Sequence, residues 1–307
     1  MQNQTNSEED PQLPQAGHLH HGPEFCLAKI PEKWNQPEIP IFQLHLSELT
    51  SCPDLYQVFD DCPSLCSLEL RFSTSSSSTE ESAFRGLDLA GAKMLSKCLS
   101  ISQCLLRLSL PGNNITDDTL SALYTGLRQC LQLADLDLSR NRITDSGIKL
   151  LSHMFRPEYC LMNVDLSHNK IGSMGCSHLA LSLHDSICLE SLNLSVNRIE
   201  DKGAIDLFSC LCDNETVETI SLSCNRLSQH CIPFLTSLLK SNQTLTSLDL
   251  SGNWIDQDLS GDNVSPLLES LRHNLAIDLR GCGVLDEKYT KRSLNLRIQR
   301  TRDHNSA

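Results

Sequence analysis

Along most of this chain, leucine or isoleucine alternates with polar residues in short bursts, and each burst ends at an asparagine. In one of them Leu133, Leu136 and Leu138 are separated by Ala134, Asp135 and Asp137, so the leucines face one way from an extended segment and the polar side chains the other. Asn141 follows. Beyond it Ile143, Gly147, Ile148, Leu150, Leu151 and Met154 recur at helical spacing, which predicts a helix with one apolar face laid on the strand. The unit then starts again. Its asparagines fall at Asn113, Asn141, Asn169, Asn197, Asn225 and Asn253, each 28 residues after the last.

A period of this length means a solenoid in which every repeat supplies one strand and one helix. The tight turn after each strand leaves peptide groups that water cannot reach, and a buried asparagine amide is suited to satisfy them. Its expected role is structural. Gly147 and Gly175, with Gly203 in the same place one unit on, let the start of the helix pack close to the neighbouring coil; Cys231 takes that place in the next unit. The phrase resembles the leucine-rich-repeat signature in its long-helix, ribonuclease-inhibitor-like form. That resemblance implies an α/β horseshoe with parallel strands on the concave face and helices on the convex face.

The register organises the chain. Residues 1–37 are rich in Gln, Asn, Pro and His without periodicity and read as a disordered polar leader. Residues 38–104 read as an N-terminal cap, with a divergent strand at Leu65, Leu68 and Leu70 and a weaker one at Ile41, Leu44 and Leu46. The 40 residues from Leu70 to Leu110 exceed one repeat, and the surplus coincides with the Ser73–Ser78 run, read as a surface loop. Regular repeats fill 105–272, with an insertion near Ser260–Asn263. Residues 273–307 hold a last strand at Ile277 and Leu279, then a polar, basic helix from Asp286 to Arg302 that caps the open end.

The formal charge of −13 argues against binding a nucleic-acid backbone, which needs a basic footprint, and leaves basic proteins as partners. No apolar run approaches membrane-spanning length and no signal peptide is visible, so a soluble intracellular protein is expected. Fifteen cysteines without paired C-x-x-C elements read as reduced structural thiols. Cys104, Cys160 and Cys188 each precede the first leucine of a repeat, the expected mark of a packing niche for a small apolar side chain. His18, His20 and His21 lack partners at metal-ligand spacing. No nucleophile motif, phosphate-binding glycine loop or convergent carboxylate pair stands outside the consensus positions, and no catalysis, cofactor or small-molecule substrate is expected.

Two columns of side chains repeat with the period. The polar position between the second and third leucines carries Ser109, Asp137, Asp165, Asn193, Ser221, Asp249 and Asp278. It reads either as an acidic partner-binding strip on the concave face or as repeat consensus. The position after each asparagine carries Asn114, Arg142, Lys170, Arg198, Arg226 and Trp254. Four consecutive cations with an exposed tryptophan would dock an acidic partner; the competing reading is charge pairing with acids such as Asp145 or Asp201.

Several intracellular repeat families share this wording, among them ribonuclease inhibitor, the GTPase-activating proteins for Ran, the sensor tails of nucleotide-binding immune receptors, and axonemal proteins. The uniform 28-residue period departs from ribonuclease inhibitor, which alternates two lengths, and no early repeat is formed to present the arginine of a Ran activator. The divergent start Cys62-Pro63-Ser64-Leu65-Cys66-Ser67-Leu68-Glu69-Leu70 resembles the t-complex-associated testis-expressed family, dynein regulatory complex subunit 5. So do the run Leu192-Asn193-Leu194-Ser195-Val196-Asn197 and the ending Ile277-Asp278-Leu279-Arg280. The resemblance implies a non-enzymatic scaffold of the nexin–dynein linker in ciliary or flagellar axonemes. It implies partners among coiled-coil and leucine-rich-repeat subunits, with doublet microtubules reached indirectly. A soluble inhibitor or immune-receptor-like regulator, closing on a basic protein with its acidic concave face, is the alternative.

Overall fold

The computed structural model describes residues 43–72, 86–255, 267, 270, 275–282 and 296–297. The leader, the Ser73–Ser78 run, His18, His20 and His21, and the Ser260–Asn263 insertion lie outside these residues. Ten strands form one parallel sheet in simple sequence order. They are β1 (Gln43–Leu49), β2 (Ser67–Phe72), β3 (Arg107–Ser109), β4 (Asp135–Asp137), β5 (Asn163–Asp165), β6 (Ser191–Asn193), β7 (Thr219–Ser221), β8 (Ser247–Asp249), β9 (Ala276–Asp278) and β10 (Leu296–Arg297). Between them run α1 (Leu55–Asp61), α2 (Leu89–Ile101), α3 (Asp117–Leu127), α4 (Asp145–Leu151), α5 (Ser173–Leu183), α6 (Glu200–Leu211) and α7 (Ile232–Ser241), each packed on the next.

From β3 to β8 the register advances by one repeat per strand, pairing Leu108 with Leu136, Val164, Leu192, Ile220 and Leu248 in turn. The alternation in the sequence becomes a sheet whose leucines are buried on the helix side and whose polar residues face the concave side. Helix residues such as Ile148, Leu151 and Met154 close the core from the other face. Among the described residues the core is the layer between these two faces, so each coil is stabilised by its neighbours.

Turn and helix geometry explain two sequence features. The residue before each ladder asparagine is left-handed: Arg140, His168, Val196 and Cys224 have φ of 57°, 54°, 55° and 55°, and glycine stands there at Gly112 and Gly252. At the helix starts, a Cβ on Gly147 would lie 2.5 Å from Asp117 Oδ1, and one on Gly175 would lie 2.6 Å from Asp145 Oδ1. The glycines leave room for those carboxylates. Where Cys231 replaces glycine, the helix begins instead with a 3-10 turn at Gln229–Cys231.

The C-terminal end differs from expectation. Within the segment read as a capping helix, Leu296–Arg297 is a strand paired with Ile277–Asp278 of β9. The rest of that segment lies outside the described residues. An edge strand exposes a row of unpaired peptide groups, and a further strand satisfies them where a helix lying across the end cannot. Leu294, Leu296 and Ile298 alternate with polar residues, the period-two pattern of a strand.

Candidate functional site

The asparagine ladder fixes the turns between the two columns of surface side chains. Asn141 Nδ2 donates to the carbonyls of Leu110 in the preceding coil and Leu138 in its own, both at 2.9 Å, while its Oδ1 accepts the Ile115 N–H at 3.0 Å. Asn169, Asn197 and Asn253 repeat the pattern, Asn225 bonds Leu194 O at 2.8 Å, and Asn113 reaches Leu70 O at 2.7 Å. All six are buried. A second, shorter ladder, at asparagines the sequence analysis did not single out, lies where helix returns to strand. There Asn214 donates to Leu183 O and Asn242 to Leu211 O and Asn214 O, and both amides are buried.

The concave column comes together as a continuous line across β3 to β9, but its acids are engaged. Asp137 accepts the Ser139 N–H at 2.9 Å and the Ser109 hydroxyl at 3.0 Å. Asp165 accepts the Ser167 N–H at 2.8 Å and the Asn193 amide at 2.9 Å, and Asn193 in turn accepts the Ser195 N–H. Asp249 accepts the Ser251 N–H at 2.9 Å and the Ser221 hydroxyl at 3.1 Å. Asp278 is buried under Arg280, whose guanidinium and backbone N–H both donate to it. Each of these side chains turns the chain at the end of its strand, as Asx residues commonly do.

The column after the asparagines has the opposite character. Arg142, Lys170, Arg198 and Arg226 are exposed, and Trp254 at the end of the row is 52% exposed. Their backbones are tied: the N–H groups of Arg142, Lys170, Arg198 and Trp254 donate to Ile115 O, Ile143 O, Ile171 O and Leu227 O at 2.7–2.9 Å. Their side chains are not. Among the described residues the ion pairs are His45–Glu69, Arg71–Glu69, His184–Asp185 and Arg280–Asp278, and none involves this rim.

The acids proposed as partners for the rim are occupied elsewhere. Asp145 accepts the Gly172 N–H at 2.6 Å, and Asp201 accepts the N–H and hydroxyl of Ser228 at 2.7 and 2.6 Å. Asp117 does the same for Thr144 one coil earlier. These carboxylates form a third coil-to-coil ladder at the helix starts, where the positive end of the helix dipole favours them. Arg140 and His168, immediately before Asn141 and Asn169, are exposed as well and add to the basic rim.

Among the described thiols, Cys62, Cys98, Cys130, Cys176, Cys231 and Cys282 are buried. Burial pushes Cys130, Cys98 and Cys282 up to about 11, and Cys231, with Asp201 beside it, up to about 12. Protonated at neutral pH, they behave as small apolar side chains. The packing-niche reading fails at Cys160, which is exposed, and at Cys104 and Cys188, which are half-buried; the residue before the first leucine lies outside the core layer. Among the described residues no group of three His, Cys, Asp or Glu is placed to hold a metal ion, and no helix is long and apolar enough to cross a membrane.

The Leucine Rich repeat family model matches four segments, 130–152, 160–180, 185–208 and 241–258. No curated protein matches the chain. Among solved structures, Leiomodin-1 Actin-Binding Site 2 is 21% identical with a TM-score of 0.36, over 42% of this chain and 72% of that one. The TLR13–ssRNA13 complex is 16% identical with a TM-score of 0.40, over 80% of this chain and 38% of that one. Neither likeness is close enough to carry an argument about what this chain binds.

Proposed function

We propose that this leucine-rich-repeat protein is a non-enzymatic interaction scaffold that docks an acidic protein surface through its basic rim, Arg142, Lys170, Arg198, Arg226 and Trp254. The observation that carries the reading is the absence, among the described residues, of any ion pair to these cations, although the chain bears a net charge of −13. Cations presented in a row at the sheet spacing of about 4.8 Å suit a partner whose carboxylates also repeat, such as one face of a helix or coiled coil. An exposed tryptophan beside them supplies an apolar anchor. The concave side chains of Asp137, Asp165, Asn193, Asp249 and Asp278 are secondary contacts in this reading, because their oxygens already serve the strand ends.

The setting we propose is the nexin–dynein regulatory complex of the ciliary or flagellar axoneme, with the chain acting in the cytoskeleton beside other coiled-coil and leucine-rich-repeat subunits to regulate dynein-driven motility. The resemblance of Cys62–Leu70, the regular coils and Ile277–Arg280 to dynein regulatory complex subunit 5 supports it. In this setting residues 1–37 are a leader, 38–104 a cap, 105–272 the regular repeats and 273–307 the terminal closure. A tagged protein expressed in ciliated cells and followed through detergent extraction tests the proposal. Retention along the axoneme, lost when the linker complex is absent, is the expected result; full release into the soluble fraction would refute it. The inhibitor-like alternative requires free concave carboxylates, and their engagement by Ser139, Ser167 and Ser251 weighs against it.

A further inference from the structure

Cys160 and Cys188 stand 28 residues apart at the same place in consecutive repeats. Three residues further along, Asn163 of β5 pairs with Ser191 of β6, and the N–H groups of Glu190 and Ser191 both donate to Met162 O at 2.9 Å. The two chain segments therefore run side by side as they enter their strands. A separation near the ladder spacing of about 4.8 Å falls inside the range of about 4.4–6.8 Å between α-carbons that a disulfide spans. Both residues lie outside the strands, in irregular segments where small adjustments do not break the ladder. Burial first and the Cys160 thiol next raise the Cys188 thiol above its ordinary value.

Accessibility completes the case. Cys160 is exposed and Cys188 half-buried, whereas Cys130, Cys176, Cys231 and Cys282 are buried. Among the described residues no other two cysteines occupy the same place in consecutive coils. Cys224, also exposed, has Val196 and Gly252 at the matching places of its neighbours.

We propose that Cys160 and Cys188 are an accessible dithiol that a low-molecular-weight disulfide of the glutathione type oxidises to a bridge between adjacent coils. The exposed Cys160, as thiolate, attacks one sulfur of the small disulfide. A mixed disulfide forms and one thiolate leaves. Cys188 then loses its proton and attacks the Cys160 sulfur, expelling the second thiolate. Two protein thiols give up two electrons, the small disulfide becomes two thiols, and the two protons end on them. Because the Cys188 thiol is held above its ordinary value, the second step speeds up as pH rises.

The test is to incubate the full chain with oxidised glutathione, alkylate the remaining thiols and map peptides without reduction by tandem mass spectrometry. The wild type is expected to yield a Cys160–Cys188 bridge, lighter by two hydrogens, while Cys224 stops as a glutathione adduct. Cys188→Ser is expected to trap the Cys160 adduct, with an unchanged circular dichroism spectrum showing that the fold persists. A wild-type Cys160 that stays glutathionylated while Cys188 is alkylated, or that bridges to any other cysteine, would overturn the proposal.

Discussion

The concave polar column and the rim cations both return once per coil, yet they stand in opposite relations to the protein that carries them. Every aspartate of the concave column from Asp137 to Asp278 accepts a backbone N–H two residues on, and most accept a neighbouring side chain too. The rim cations, a few residues away on the same coils, make no ion pair among the described residues. In a solenoid, periodicity alone does not mark a binding surface, because any residue that serves the repeat returns with the repeat. What separates the two columns is whether the coil itself uses the charge. The concave column is part of the fold's hydrogen-bond inventory; the rim cations enter no ion pair among the described residues.

Substitutions that place each column on one side of this divide would sharpen or break it. The largest effect is expected within the ladder that supports both. Asn169→Ala leaves the Leu138 and Leu166 carbonyls and the Ile143 N–H without their buried partner, a loss of about 3 kcal/mol at roughly 1–3 kcal/mol for each unsatisfied group, with partial compensation by water. Urea unfolding measures it. Asp165→Ala removes a bond to the Ser167 N–H and one to the Asn193 amide and should cost about 1.5 kcal/mol, in the range of hydrogen bonds to charged groups. If that variant is as stable as the wild type, the concave acids are free for a ligand after all.

Smaller effects are expected on the turn and the rim. Val196 is a β-branched residue held at a φ of 55°, so Val196→Gly should stabilise by about 0.5 kcal/mol, the left-handed penalty of about 1–2 kcal/mol less the added freedom of the unfolded glycine. Combined Arg142→Ala, Lys170→Ala, Arg198→Ala and Arg226→Ala should change stability by no more than about 0.5 kcal/mol per site, as exposed residues without partners do. A larger loss would mean that the rim serves the fold as the concave column does.

Much of this molecule was legible in its sequence because the repeat converts long-range structure into local pattern. Leucine alternation located β2 through β9, and the asparagines marked the turns. What was missed depends on which residue of one coil meets which residue of the next. Asp145 looked like a partner for the rim until the register placed it on the Gly172 N–H. Cys160 looked like a core residue because it adjoins Leu161, yet one position beyond the buried layer is enough to expose it. Asn214 and Asn242 form their own ladder at the return from helix to strand, which the pattern of alternating leucines and asparagine does not cover. At Leu296–Arg297 the strand pattern was present but was outweighed by the expectation of a helical cap.

The central claim is that the rim, not the concave face, holds the partner. The most direct measurement compares two tagged variants in detergent-extracted axonemes: one with the four rim cations changed to alanine, the other with Asp137→Asn, Asp165→Asn and Asp249→Asn. The account predicts that the rim variant is released while folded, and that the concave variant, whose amides still accept the strand-end N–H groups, stays in place. Retention of the rim variant together with release of the concave one would contradict it.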